Sequence, residues 1–270
     1  MPLAVCATPI GNLEDVTLRV LRELAEADVV LCEDTRHTRG LLERHGIAAR
    51  LVSYHRHNEA ARTAEILPRL LAGERVALVS DAGLPGVNDP GARLVAAAID
   101  AGAPVTVLPG PSAVPTALVL SGFASERYQF LGYLPRGEKA LRALWEELAQ
   151  WPHPAVAFES PKRLPGALRT LAEVSPERPV AVCRELTKLF EEVVRGPAGE
   201  VAARLSEPPK GEITLVVGPR QVAEEQVDSL QTAAEVVAEL VADGVPRKRA
   251  VDLVGRVVGV SRNALYRRSL

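Results

Sequence analysis

The chain has 270 residues, 32 Lys and Arg against 34 Asp and Glu for a net charge of −2, and 47% hydrophobic positions. This ordinary globular composition excludes a collagen-like, disordered or disulfide-stapled chain, and the length suits two domains or one large α/β unit. The longest strictly apolar runs, such as Leu94–Ile99, fall far below the roughly 20 residues of a membrane span, and Met1–Cys6 lacks a basic opening with a long apolar segment, so a cytoplasmic protein without an anchor is expected.

In chain order, Leu3–Thr8, Asp28–Cys32, Arg75–Ser80 and Val105–Leu108 read as short buried strands. Between them, Thr17–Ala27 places Leu18, Leu21 and Leu24 on one helical face, Asn58–Ala72 does the same with Ala61, Ile66 and Leu70, and Ala92–Ala101 continues the series. Alternating β and α segments predict a mostly parallel sheet covered by helices. A second set follows, with strands at Tyr128–Tyr133, Ala155–Glu159, Val180–Arg184, Glu191–Arg195 and Ile213–Val217, and helices at Glu138–Gln150, Leu164–Val174 and Gly199–Ser206. Val180–Arg184 and Glu191–Arg195 lie too close for a crossover, which implies an antiparallel hairpin. The expected organisation is a parallel α/β domain over 1–115, a mixed-sheet α/β domain over 116–219 and a helical appendix over 220–270.

The appendix reads as helices at Ala234–Val241, Arg249–Val257 and around Ala264–Tyr266, with Gly259-Val260-Ser261 resembling the turn of a helix-turn-helix and Ser261 as its cap. From Val245 to Leu270 seven basic residues face one acid, Asp252, giving +6 on a chain that is otherwise −8. Such a tail invites a polyanion, and contact with phosphates through Arg262, Arg267 and Arg268 is favoured over the plain alternative of a helical bundle whose arginines are simply solvated.

Cys6, Cys32 and Cys183 each sit in an apolar run and read as buried thiols, and the five histidines form no metal-ligand spacing, so no metal is expected. Three Gly/Pro-rich loops each follow a predicted strand: Thr8–Leu13, Ser80–Gly91 and Pro109–Ala113. In open α/β sheets ligands collect beyond the carboxyl ends of strands, where such loops converge. Neither a dinucleotide glycine fingerprint nor a P-loop occurs, so a nucleotide-like ligand must be held by backbone freed by glycine and proline. Charged clusters stand at Glu33–Arg36, at Ser53–Glu59 and at Arg184–Glu192 in the predicted hairpin connection; Asp34 or Thr35 and Asn58 suit helix caps, leaving Glu33 and His55 free to face a cleft.

These residues carry a resemblance. T-P-I-G-N-L-E-D-V-T at 8–17, E-D-T-R at 33–36, S-Y-H-R-H-N-E at 53–59, S-D-A-G-L-P-G-V-N-D-P-G at 80–91, P-G-P-S-A at 109–113, F-E-S-P-K-R at 158–163, R-E-L-T-K-L-F-E-E at 184–192 and G-E-I-T-L-V-V at 211–217 are similar to the bacterial small-subunit (16S) ribosomal RNA cytidine 2′-O-methyltransferases of the tetrapyrrole methylase superfamily. The chain departs at Leu84 and Asn88, where the family commonly has threonine and serine. The resemblance implies a two-domain fold with S-adenosylmethionine bound between the domains, a homodimer, and methyl transfer to a cytidine ribose in the decoding region of ribosomal RNA, free or within the small ribosomal subunit. It places cofactor contacts at Ile10, Asp81, Gly83, Leu84, Ser112, Ala113, Phe158, Glu159, Thr214 and Leu215.

Methyl transfer to a ribose hydroxyl needs in-line positioning and a base for the hydroxyl proton. Lys188 and Glu185 are the first candidates, with Glu33 and His55 behind them; a lysine base requires a lowered pKa, through burial or a cation such as Arg184. Arg36, Arg163 and Arg184 alternatively clamp phosphates. Three other readings stay open: a relative acting on a tetrapyrrole carbon or a translation factor, a non-enzymatic RNA-binding module, and a classical Rossmann methyltransferase. The clusters at 33–36, 53–59 and 184–188 and the basic tail weigh against the first, and the missing glycine fingerprint against the last.

Overall fold

The computed structural model describes residues 2–123, 125–220 and 225–269. Two units divide at Arg220/Gln221, and the first contains two five-stranded sheets.

The first sheet is wholly parallel, in the order β3-β2-β4-β1-β5, from β1 (Leu3–Cys6), β2 (Val29–Cys32), β3 (Leu51–Ser53), β4 (Val76–Val79) and β5 (Val105–Leu108). Strict alternation gives each strand two apolar faces. Leu3, Val5, Val29, Leu31, Val76 and Leu78 pack with Ile66 and Leu70 of α3 (Glu59–Leu71) and with Leu94 and Ala98 of α4 (Ala92–Asp100). Ala4, Cys6, Val30, Cys32, Ala77 and Val79 face Val20 and Leu24 of α1 (Leu18–Glu26) and Leu42 of α2 (Thr35–Arg44). Burial on both faces is why these strands read as continuous apolar runs.

The second sheet is mixed, in the order β6-β7-β10-β8-β9: β6 (Gln129–Tyr133), β7 (Ala155–Glu159), β8 (Pro179–Arg184), β9 (Glu192–Pro197) and β10 (Ile213–Val217). β8 and β9 form the expected antiparallel hairpin. One face packs on α6 (Glu138–Gln150), α7 (Leu164–Val174) and α8 (Ala198–Arg204) around Trp145, which is fully buried. The other meets α5 (Ala113–Ser121) through Val114, Ala117 and Leu118, and Ile10 joins that cluster.

Two expected caps behave differently. Asp34 Oδ1 accepts from Arg36 N at 2.8 Å and caps α2. Asn58 makes no capping bond; its amide accepts from His55 N (2.8 Å) and donates to Ser53 O (3.1 Å), bracing the loop before α3 instead.

The second unit comprises α9 (Glu225–Ala242), α10 (Arg247–Val258) and α11 (Arg262–Arg268), closed around Ala233, Val237, Ala250, Val251, Val254 and Leu265. Gly259, in the left-handed region (φ 72), ends α10 as the sequence predicts. Ser261 occupies the cap position of α11 without a side-chain capping bond.

Candidate active site

β4, β1 and β5 are adjacent and parallel, so the three Gly/Pro-rich loops emerge side by side at their carboxyl ends. Thr8 and Gly83 exchange backbone hydrogen bonds (2.8 and 3.0 Å), and Thr8 Oγ1 donates to Ser80 O at 2.9 Å, which fastens the first loop to the second. Gly83 takes φ +80, and Gly110 lies so close to β1 that a Cβ there would stand 3.0 Å from Ala7 Cβ. Glycine at both places lets backbone rather than side chain face the space beyond.

That space is a cleft of about 470 Å3. The first sheet supplies Ile10, Gly83, Leu84, Asp89, Ser112 and Ala113; the second closes it with Tyr133, Phe158, Leu186, Glu212 and Thr214. Phe158 stacks edge-on with Phe130 (5.0 Å) and Tyr133 (5.7 Å), forming an aromatic wall. Thr214 pairs directly with Phe158 across the β7–β10 ladder, so both point to the cleft side, whereas Leu215 opposite Ala157 turns into the core and is fully buried. Asp81 does not line the cleft; its Oδ1 accepts from Asp34 N at 3.1 Å and ties the β4 loop to the start of α2.

Glu159 borders the cleft with its side chain buried. Its Oε1 accepts from Ser160 N (2.6 Å), and Oε2 lies 2.8 Å from Arg163 Nη2. Arg163 directs its N–H bonds at the carbonyls of Leu134 (2.8 Å) and Pro135 (2.9 Å), so its tie to Glu159 is an ionic contact without hydrogen-bond geometry. Burial holds the Glu159 carboxyl above the ordinary range.

The hairpin connection is a clamp. Lys188 Nζ donates to Glu185 Oε1 (2.9 Å) and Glu212 Oε2 (3.0 Å), while Glu212 N donates to the same Glu185 oxygen at 2.9 Å. The lowering that a lysine base requires is not found: burial pulls the Lys188 pKa down, but the hydrogen bonds to Glu185 and Glu212 outweigh burial and lift it above the usual lysine range. The Glu212 backbone N–H, then Lys188, hold Glu185 below its ordinary value. Lys188 is therefore a fixed cation and Glu185 a saturated acceptor. A Cβ on Gly11 would stand 2.5 Å from Lys188 Cγ and 2.8 Å from Leu186 O, and Asn12 N donates to Thr187 Oγ1 at 3.0 Å, so the first loop lies directly on this clamp.

Glu33 and His55 lie beside the cleft without lining it. Burial first, then Asp81, raises the Glu33 carboxyl, opposed by Arg56 and His55. His55 Nδ1 is buried with no hydrogen-bond partner. Among the arginines proposed to clamp phosphates, Arg36 is exposed and paired with Asp34 (2.9 Å), and Arg184 is engaged by Glu192 (3.0 Å) and Lys210 O (3.3 Å). In the second unit Arg262 pairs with Asp252 (3.0 Å), Arg267 Nε donates to Asn263 O and Arg268 Nε to Gln231 Oε1. A hollow there is lined by Lys248, Arg262, Arg267 and Tyr266.

Of the two carboxylates that the second glycine loop carries, Asp89 lines the cleft and Asp81 does not; sequence reasoning missed Leu186 and Glu212, which lie within quoted motifs, and Tyr133, at the end of a predicted strand outside any motif. Asn88 explains one departure: it holds φ 66, which asparagine tolerates better than serine, and its amide oxygen lies 3.1 Å from the position of a Cβ on Gly132.

Loops at the carboxyl ends of a parallel sheet, facing an aromatic-walled cleft closed by a second, mixed sheet, define a two-domain α/β enzyme with a small-molecule site between the sheets. The sequence profile of the Tetrapyrrole (Corrin/Porphyrin) Methylases matches residues 2–202. The chain is 44% identical over 266 residues to Ribosomal RNA small subunit methyltransferase I of Micromonospora olivasterospora, covering 98% of this chain and 85% of that one. It is 43% identical over 220 residues to the protein of the same name from Thermotoga maritima, covering 81% of this chain and 99% of that one. The fold is shared with uroporphyrin-III C-methyltransferase from Thermus thermophilus complexed with S-adenyl homocysteine, with a TM-score of 0.56 at 20% identity over 80% of this chain and 96% of that one. The chain belongs to the tetrapyrrole methylase family. It is a methyltransferase, and its methyl donor is S-adenosylmethionine. The cleft fits such a donor in volume, in its aromatic wall and in the glycine-freed backbone at Gly83 and Gly110.

Proposed function

We propose that this protein methylates the ribose 2′-oxygen of a cytidine in the decoding region of small-subunit ribosomal RNA, in the cytoplasm and as a homodimer. The observation that carries the reading is the near full-length identity, 38–44%, to relatives named for methylation of small-subunit ribosomal RNA. Among the described residues no helix is long and apolar enough to cross a membrane. Exposed apolar side chains, Val119 (70%), Leu189 (90%) and Phe190 (67%), offer surface that a second copy would cover.

In this reading Ile10, Gly83, Leu84, Ser112, Ala113, Phe158, Glu159 and Thr214 hold the methyl donor, with Asp81 and Leu215 behind them. When bound, the donor supplies an electrophilic sulfonium methyl. The chain's own residues supply alignment: Phe158 and Ile10 fix the donor's orientation, and Leu186, held by the Lys188 clamp, excludes water. In this reading Arg36, Arg163 and Arg184 contact RNA phosphates, Arg163 and Arg184 by exchanging their present carbonyl and carboxylate partners, and Arg262, Arg267 and Arg268 in the second unit add sequence-independent backbone contacts.

The test incubates the protein with methyl-labelled S-adenosylmethionine and small ribosomal subunits lacking the modification, then digests the RNA to nucleosides for mass spectrometry. A labelled 2′-O-methylcytidine is expected. Label on another atom, or none on RNA despite donor binding, overturns the reading.

A further inference from the structure

The four residues first considered as bases leave the hydroxyl proton without a destination. Lys188 is a fixed cation, Glu185 accepts from both Lys188 and Glu212 N, and Glu33 and His55 do not line the cleft. Three carboxylates do line it: Glu159, Glu212 and Asp89. Glu159 is engaged by Ser160 N and Arg163, and Glu212 by Lys188. Asp89 has no hydrogen-bond or ion-pair partner among the described residues.

Its backbone is nevertheless fixed on both sides. Asn88 is held in the left-handed region, and its carbonyl accepts from Arg56 Nη2 at 2.5 Å. Pro90 is buried, and Gly91 (φ 137) passes so close to β4 that a Cβ would stand 2.9 Å from Leu78 Cδ2. An unsatisfied acceptor on a rigid loop at the rim of a reactive cleft is what a proton-abstracting group requires.

We infer that Asp89 is the general base: its carboxylate takes the proton of the attacking hydroxyl. The inference rests on the ribose 2′-O reading above. As the O–H proton passes to Asp89, the ribose oxygen forms its bond to the methyl carbon and the carbon–sulfur bond breaks, leaving the electron pair on a neutral sulfur; the proton later leaves Asp89 to water. The charged and titratable groups facing Asp89 suit the role. Burial first, then the Glu33 and Asp81 carboxylates of the first domain, push it up to about 6 against the opposing Arg56, and Tyr133 faces it from the second domain. A base poised just below neutral pH is ionised yet still accepts a proton.

The test compares wild type, Asp89→Asn and Asp89→Glu in single-turnover methylation of unmodified small subunits across pH 5–9, with calorimetric binding of S-adenosylmethionine and S-adenosylhomocysteine. The expected result is a rate loss of about 100-fold or more in D89N with loss of the acid-side limb, the limb retained in D89E, and both ligands bound as by wild type. A D89N rate within a few-fold of wild type overturns the inference. So does selective weakening of the sulfonium ligand in D89N, which would make Asp89 a recognition group. If D89N does not fold, a folded D89E lacking the acid limb overturns it equally. Absence of 2′-O-methylcytidine with wild type is a different outcome: it removes the ribose reading itself, whatever D89N does.

Discussion

Substituting Gly11 by alanine tests whether the first glycine loop resting on the Lys188 clamp shapes the cleft. The new Cβ would stand 2.8 Å from both Leu186 O and Thr187 Oγ1, where ordinary contact begins at 3.4 Å, so the backbone of 186–187 must retreat by about 0.6 Å. Overpacking of this kind costs about 1–3 kcal/mol, and the Asn12–Thr187 hydrogen bond is stretched with it. For a unit of this size about 2 kcal/mol lowers Tm by about 4–8 °C. Leu186 lines the cleft, so if about half of that cost is felt there, binding of S-adenosylhomocysteine weakens roughly fivefold. Scanning calorimetry and isothermal titration read the two effects. Gly40→Ala is the control: it lies inside α2 with nothing within 4 Å of its Cβ, and should stabilise by about 0.5–1 kcal/mol with unchanged affinity. A Gly11→Ala protein that melts and binds like wild type would refute the contact as the device that closes the cleft.

Asp89 also has a stability signature. Its folded pKa of about 6 lies above the ordinary carboxylate value, so between about pH 4 and pH 6 the folded protein keeps a proton the unfolded chain has released, and stability falls as pH rises through that window. D89N should therefore be the more stable protein at pH 7.5, by about 1–2 kcal/mol after solvent screening, with the gain vanishing near pH 4 in denaturant titrations. Arg163→Met strips the cation from buried Glu159 and should destabilise by about 2 kcal/mol at pH 8 and by progressively less as pH falls, since burial already favours the neutral acid, which needs no cation; a loss that stays constant across the acid range would contradict the ionic contact. Neutralising Lys248, Arg262 and Arg267 together should flatten the salt dependence of RNA binding by up to about 2 in log–log slope, read by filter binding at several salt concentrations, without altering methyl-donor affinity.

The parallel sheet was legible because burial on both faces leaves short β-branched runs separated by helices of clear period. α5 was not: Ala113–Ser121 is apolar nearly all round, wedged between Ile10 and the second sheet, and shows no helical stripe. The cleft's loops announced themselves through glycine and proline, whose backbone roles are local. Charges did not, since Lys188 is set by Glu212, 24 positions away, and Asp89 by Glu33 and Asp81 from other loops. A lysine base needed burial or a nearby cation to lower it, and only the folded chain reveals the carboxylates that raise it instead.

Among the described residues, three non-glycine residues carry left-handed φ values: Asn88 (66°), Glu185 (54°) and Thr187 (66°). All three stand in loops that border the cleft. Each stores roughly 1–3 kcal/mol that surrounding structure must hold in place, most for the β-branched threonine. A library screened for heat resistance alone would therefore be drawn to glycine at these positions, and would slacken the loops that border the cleft. Selecting such variants for turnover as well as survival would expose where the enzyme exchanges durability for rate.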